Sequence, residues 1–319
     1  MEKILTSIDQ IASRDQRKVI IPDGYTVIGE RAFEDCVWLE NVVISRSVTV
    51  IRCSAFVRCT ALREICFPRS VTSIRAGAFW GCTSLQSVLI PESVTHTGDA
   101  VFRGCKSLER VEIPESVTEI SDETFYGCTA LMRMKIPKSV TDIGMDAFRG
   151  CSSLLSVEIP ASVESINWGA FHGCTSLVNV VIPKSITKIG NGAFRRCSAL
   201  ASIEIPDSVT EIGDWVFNGC TSLRSAVLSA SVTEIGNAMF HSCKSLSSVV
   251  IPDSVTEIED LAFWDCSSLV SVEIPDSVTK IGRSAFQGCT SLESVSVPQA
   301  AHWEKDTFKN CPKLKITRR

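Results

Sequence analysis

Apolar residues in this chain recur on one long, fixed period. Phe33 is followed by a Phe every 23 residues as far as Phe286, and Phe308 comes after a last step of 22. Counted from each Phe, a Cys stands at +3, a Leu at +6, apolar residues near +9 and +11, usually Pro at +12, Ser at +14 and Val or Ile at +15. Self-similarity at constant spacing marks an array of stacked units, none of which buries its apolar residues without its neighbours.

The coil from Cys220 through Phe240 shows how the spacing becomes structure. Leu223, Ala226 and Leu228 follow an LxxLxL spacing. The last two alternate with Val227, which predicts a short strand with Val227 outward, and stacked coils then build a parallel sheet. Proline after the strand, as at Pro91, Pro206 and Pro275, lacks an N–H and ends the ladder. The serine two residues later, as at Ser93, Ser116 and Ser139, is expected to bond nearby backbone groups in the turn. Ser231 to Ile235 predicts a second extended segment, with Gly236 as a corner residue tolerant of positive φ. Asn237 to Cys243 predicts one or two helical turns that point Phe240 and Cys243 inward at i and i+3.

An open stack exposes apolar faces at its ends and needs caps. Ile4, Leu5, Ile8 and Ile11 fall on one helical face, which predicts an amphipathic capping helix at 1–18. About twelve coils of 23 residues occupy 19–298. A degenerate capping coil of shifted spacing follows at 299–319, with Trp303, Phe308 and Leu314 available for packing and a basic terminus from Lys305 to Arg319.

The run Pro-x-Ser-Val-Thr-x-Ile-Gly-x-x-Ala-Phe-x-Gly-Cys-x-Ser-Leu, carried well by residues 137–154 and 275–292, resembles the repeat of the BspA-like, or Treponema-type, leucine-rich-repeat family. The resemblance covers about residues 19–298. It implies an α/β repeat fold: a right-handed solenoid with a parallel sheet on its concave face and the short helical turns on its convex side. It also implies non-enzymatic use in adhesion and protein binding, with no catalytic residue and no cofactor to carry over. Departures are local. Ser45 and Ser229 replace the proline, Thr97 replaces a core Ile, Met134 and Ala226 replace the larger +9 residue, and Arg52, Arg75 and Glu259 replace the corner Gly.

A net charge of −4 gives no general attraction to a phosphate backbone, so no nucleic-acid partner is expected. No apolar run approaches a membrane span, and Glu2, Lys3, Asp9 and Asp15 interrupt the stretch a signal peptide would need. The chain as written therefore reads as cytoplasmic, whereas the resemblance implies a cell-surface or secreted protein. Thirteen of the fifteen cysteines stand at +3, which predicts a column of free buried thiols, not a disulfide framework or a metal site. Cys53 and Cys66 lie off that column, and Cys66 is expected to point from the sheet surface. His96, His172, His241 and His302 fall in different coils, so none pairs with another as a ligand. No phosphate-cradling glycine motif is present.

The outward +10 position of each strand defines the candidate binding face. Its partner-binding candidates are Leu89, Glu112, Lys135, Glu158, Val181, Glu204, Val227 and Val250. An exposed apolar stripe among charges suits a protein ligand. Glu112, Lys135 and Glu158 are consecutive rungs of opposite sign and predict a cross-strand charge ladder. A second candidate surface lies on the turn side, where Trp80, Tyr126 and Trp264 share the +1 position, with Trp168 and Trp215 nearby. The alternative use is a structural spacer or assembly subunit that self-associates through its ends or edges; the expected state is a monomer or a weak self-associate.

Overall fold

The structure, a computed structural model, describes residues 2–13 and 16–319. Residues 1–162 and 163–319 form two compact units, each a stack of coils with two columns of short parallel strands. In the first unit Lys18–Ile20, Asn41–Val43, Glu64–Cys66, Ser87–Leu89 and Arg110–Glu112 pair in succession. Arg133–Lys135 likewise pairs with Ser156–Glu158. In the second unit Ser202–Glu204, Ser225–Val227 and Ser248–Val250 form one such ladder, and Ser271–Glu273, Ser294–Val297 and Lys315–Arg318 another. The other column consists of two-residue strands, such as Val50–Ile51 beside Ser73–Ile74 and Glu257–Ile258 beside Lys280–Ile281. Partners are one repeat apart, as in Val88 opposite Val111, so equivalent side chains are stacked.

The core follows from that register. In the first unit Phe79 and Phe102 stack at 5.7 Å between ring centroids, and Phe102 and Phe125 at 5.9 Å. In the second unit Phe194, Phe217 and Phe240 repeat the arrangement at 6.0 and 5.5 Å. These rings are fully buried beside columns of Leu, Val, Ile and Cys. Each aromatic pair adds about 0.5–1.5 kcal/mol to the burial of its apolar area.

The turn side differs from expectation. Among the described residues there is no α-helix, and Asn237 to Cys243 is a chain of turns. Alternate N–H groups explain why. Met239 and His241 donate locally to Gly236 and Ala238 carbonyls, while Ala238, Phe240 and Ser242 donate to Asp260, Ala262 and Trp264 in the next coil. Half of the bonds a helix would keep to itself thus hold neighbouring coils together. Left-handed residues on both sides of each Phe from Phe33 to Phe286 in the 23-residue series make this possible, as at Ala100 (φ 55°) and Gly104 (φ 71°) around Phe102. Such residues cannot continue a right-handed helix.

The corner glycine also has a different cause. Gly236 is not in the left-handed region; Gly98, at the same repeat position, would place a Cβ 2.3 Å from the Ala76 nitrogen of the preceding coil. Close backbone approach, rather than positive φ, selects glycine there.

The amphipathic helix expected at 1–18 is absent from the described residues of that segment; Met1, Arg14 and Asp15 lie outside them. Ile4–Leu5 is a strand paired with Val27–Ile28, followed by a single 3-10 turn at Ile8–Gln10 capped by Ser7. Leu5 and Ile8 are buried. A strand satisfies the edge N–H and C=O groups of the first two-residue rung, which a helix laid across it would leave unpaired.

Two side-chain columns staple coil to coil. Cys105 Sγ donates to the Phe79 carbonyl at 3.2 Å, and Cys243 to that of Phe217 at 3.1 Å. The +14 serine reaches the preceding coil instead of its own turn: Ser93 Oγ donates to the Val71 carbonyl at 2.6 Å, and Ser254 to that of Val232 at 2.6 Å. Where Ser229 replaces proline, its buried hydroxyl takes this duty and donates to the Val209 carbonyl at 2.8 Å.

Candidate functional site

The three-residue strands carry the candidate face. Each has a buried central residue between two outward ones, because the +9 side chain fills the coil interior and alternation turns +8 and +10 to the open side. In the first unit Leu89 stands 62% exposed, with Glu112, Lys135 and Glu158 also exposed. In the second unit Val181, Val227 and Val250 stand 78%, 54% and 72% exposed, and Glu204 is exposed among them. The structure thus turns every candidate of this set outward.

The charged rungs behave differently from the predicted ladder. Lys135 lies opposite Glu158 in register, but no ion pair joins Lys135 to Glu158 or Glu112 among the described residues. Glu112 instead pairs with Arg110 on its own strand. Two outward residues on one short strand meet more readily than flexible chains on neighbouring rungs, and solvent screens the remaining attraction.

Shallow clefts border the face. In the first unit a cleft of about 640 Å³ is lined by Phe67, Leu89, Pro91 and Glu92. In the second, one of about 630 Å³ is lined by Val181, Lys184, Glu204, Pro206 and Val227. Arg319 enters another near Val250, where its guanidinium pairs with Glu273 and Asp276. Sequence reasoning placed Arg319 in a generally basic terminus and missed this contact. The signal for it was the Glu-Ile-Pro-Asp run at 273–276, which offers two carboxylates on one edge.

The turn-side aromatics are engaged within the protein. Arg103 lies 5.2 Å from the Trp80 ring and 4.4 Å from that of Tyr126, and His241 stacks on Trp264 at 4.3 Å. Trp80, Trp168 and Trp215 nonetheless remain exposed.

The +3 thiols are buried from Cys36 to Cys289, with Cys311 half-buried, while Cys53 and Cys66 are exposed. Burial pushes the Cys220 thiol up to about 12. Among the described residues no group of three or more His, Cys, Asp and Glu side chains is placed to hold a metal ion. No helix of the described chain is long and apolar enough to cross a membrane.

Comparison with known proteins settles the family. The sequence profile of the BspA type leucine rich repeat region matches residues 9–132, 72–201, 118–246 and 193–315. The chain belongs to the BspA-type leucine-rich repeat family. Among solved BspA-type relatives and other repeat structures, it is 28% identical to a leucine-rich repeat protein from Bacteroides ovatus, covering 94% of this chain and 91% of that one with a TM-score of 0.74. A leucine rich cell surface protein from Faecalibacterium prausnitzii is 31% identical, over 94% of this chain and 78% of that one, with a TM-score of 0.58. The pneumococcal vaccine antigen PcpA shares the fold at 19% identity, over 96% and 84% of the two chains, with a TM-score of 0.66. No curated protein matches. What these structures share with this chain is the parallel-strand repeat fold described above.

Proposed function

We propose that the chain is a non-enzymatic protein-binding or adhesion module that contacts its partner through the open face of the three-residue strands. Leu89, Glu112, Lys135 and Glu158 serve in the first unit, and Val181, Glu204, Val227 and Val250 in the second. The strand at Ile4–Leu5 and the coil at 299–319 act as caps around the repeats.

The observation that carries this reading is the exposure of Leu89 in the first unit and of Val181, Val227 and Val250 in the second, all at the same repeat position. Strand propensity favours valine at such positions, but four large apolar side chains facing water give up about 1.5–3 kcal/mol each that burial against a partner would recover. Interspersed carboxylates and Lys135 keep the face soluble and give it direction. The description of the Faecalibacterium relative as a cell surface protein fits an adhesive role.

Site-specific photo-crosslinking tests the assignment. A photoreactive residue at Val227 or at Leu89 is expected to trap a partner protein, and the same group at Trp168 on the turn side is not. Trapping only from Trp168 would reverse the choice of face.

A further inference from the structure

The sheet face of the second unit already holds one cationic side chain, and the way it does so identifies what a partner should carry. Arg319 Nη1 lies 2.8 Å from Glu273 Oε1, its Nε lies 3.3 Å from Asp276 Oδ1, and its Nη2 donates to the Ile274 carbonyl at 2.7 Å. Glu273 is the second outward residue of its strand, and Asp276 follows the proline that ends it. Glu at +10, the carbonyl at +11 and Asp at +13 therefore surround a guanidinium with three acceptors along one strand edge. That arrangement suits a planar fork of donors better than a point-charge ammonium.

The same run, Glu-Ile-Pro-Asp-Ser-Val, occurs at 204–209 as at 273–278. Glu204 and Asp207 take the same repeat positions, in a strand of the same register and burial pattern. Among the described residues no cation pairs with either of them. Asp207 Oδ1 accepts the Ala230 N–H at 2.9 Å, which orients the carboxylate and leaves Oδ2 for a ligand. The cleft that Glu204 lines is also lined by Val181, Pro206, Val227 and Lys184, so apolar surface flanks Glu204 on the open face.

We propose that Glu204, the Ile205 carbonyl and Asp207 form a socket for an arginine side chain of a partner, presented on an extended basic peptide segment whose apolar neighbours pack on Val181 and Val227. The proposal rests on the reading of the sheet face as the binding surface and specifies the partner's chemistry: a guanidinium between apolar residues. Charge complementarity and the seated Arg319 are the two grounds for it.

The test uses the full chain and two labelled peptides, one with a central arginine between valines and its twin with neutral citrulline in that place, titrated by fluorescence polarisation. The arginine peptide is expected to bind about fivefold more tightly than its twin, the upper end for an exposed ion pair. The E204Q/D207N variant, which keeps the side-chain shapes, is expected to abolish that preference. Arg319→Ala is expected to open the equivalent pair at Glu273 and Asp276 and add a second class of sites for the arginine peptide. Equal binding of the two peptides by the unaltered chain, with both lost in V181K/V227K, overturns the socket while leaving the sheet-face reading intact. Binding of neither peptide also overturns the socket. Binding of both peptides that survives V181K/V227K overturns the sheet-face reading as well.

Discussion

The Cys151 thiol donates a 3.1 Å hydrogen bond to the carbonyl of Phe125 in the preceding coil. That single contact joins the two most regular columns of the repeat, and it recurs one repeat earlier, from Cys128 to Phe102. The carbonyl also accepts the N–H of Cys128 in its own coil, so the thiol fills its second acceptor position. A small side chain that packs as a hydrophobe and still donates weakly suits the position, as cysteine does.

Only the neutral thiol can donate, and burial pushes Cys151 from 9.0 up to about 12. Between those values the unfolded chain loses the proton and the folded one keeps it, so stability falls as pH rises. The contribution of Cys151 is present in full below about pH 9 and is lost progressively toward pH 12. Urea midpoints measured across that range are expected to fall, and Cys151→Ala is expected to lessen the slope. At neutral pH the same substitution should cost about 1–2 kcal/mol, through a lost bond and a small cavity.

Thiol titration gives a separate readout. At pH 8 a disulfide-exchange reagent is expected to react rapidly with exposed Cys53 and Cys66, slowly with half-buried Cys311, and with the rest of the fifteen thiols only in denaturant. Rapid reaction of the whole set in the native protein would mean that the columns are open to solvent.

Backbone demands at two glycine-favouring positions act in opposite directions. Ser242 holds φ at 60° two residues after Phe240, where Gly219 and Gly288 stand in other coils. Ser242→Gly is therefore expected to stabilise by about 1 kcal/mol, the usual cost of a Cβ in the left-handed region. Gly98→Ala is expected to destabilise by about 1–3 kcal/mol or more, because the new Cβ meets the Ala76 backbone and cannot move away. Thermal melts of the two variants should shift up and down respectively.

Much of the fold was legible because the repeat period fixes which side chains share a column. The stacking of Phe79 on Phe102, the outward Val227 and the free thiols all follow from position in the repeat. The turns were not legible, since Phe240 and Cys243 at i and i+3 fit a helical turn as well as a turn that sends alternate N–H groups to the next coil. Propensity describes bonds within a segment, and these bonds lie between segments. The same limit hid the strand at Ile4–Leu5, whose partner is Val27–Ile28, and the role of Gly98, whose constraint comes from Ala76. At the candidate face, alternation identified Val181 and Val250 as outward. The seat of Arg319 on Glu273 depended on how the last coil folds back, which periodicity does not describe once the spacing shifts.

The central functional claim is that protein partners meet the open strand face rather than the turn side. The most direct measurement compares partner affinity for two folded variants, L89K/V181K/V227K/V250K on the strand face and W80K/W168K/W215K on the turn side, with circular dichroism confirming the fold of each. Loss of about tenfold or more in the first with near-unchanged binding in the second is the predicted result, since burying even one charge against an apolar partner surface costs over 1.4 kcal/mol. Unchanged binding by the strand-face variant, with loss confined to the tryptophan variant, would contradict it.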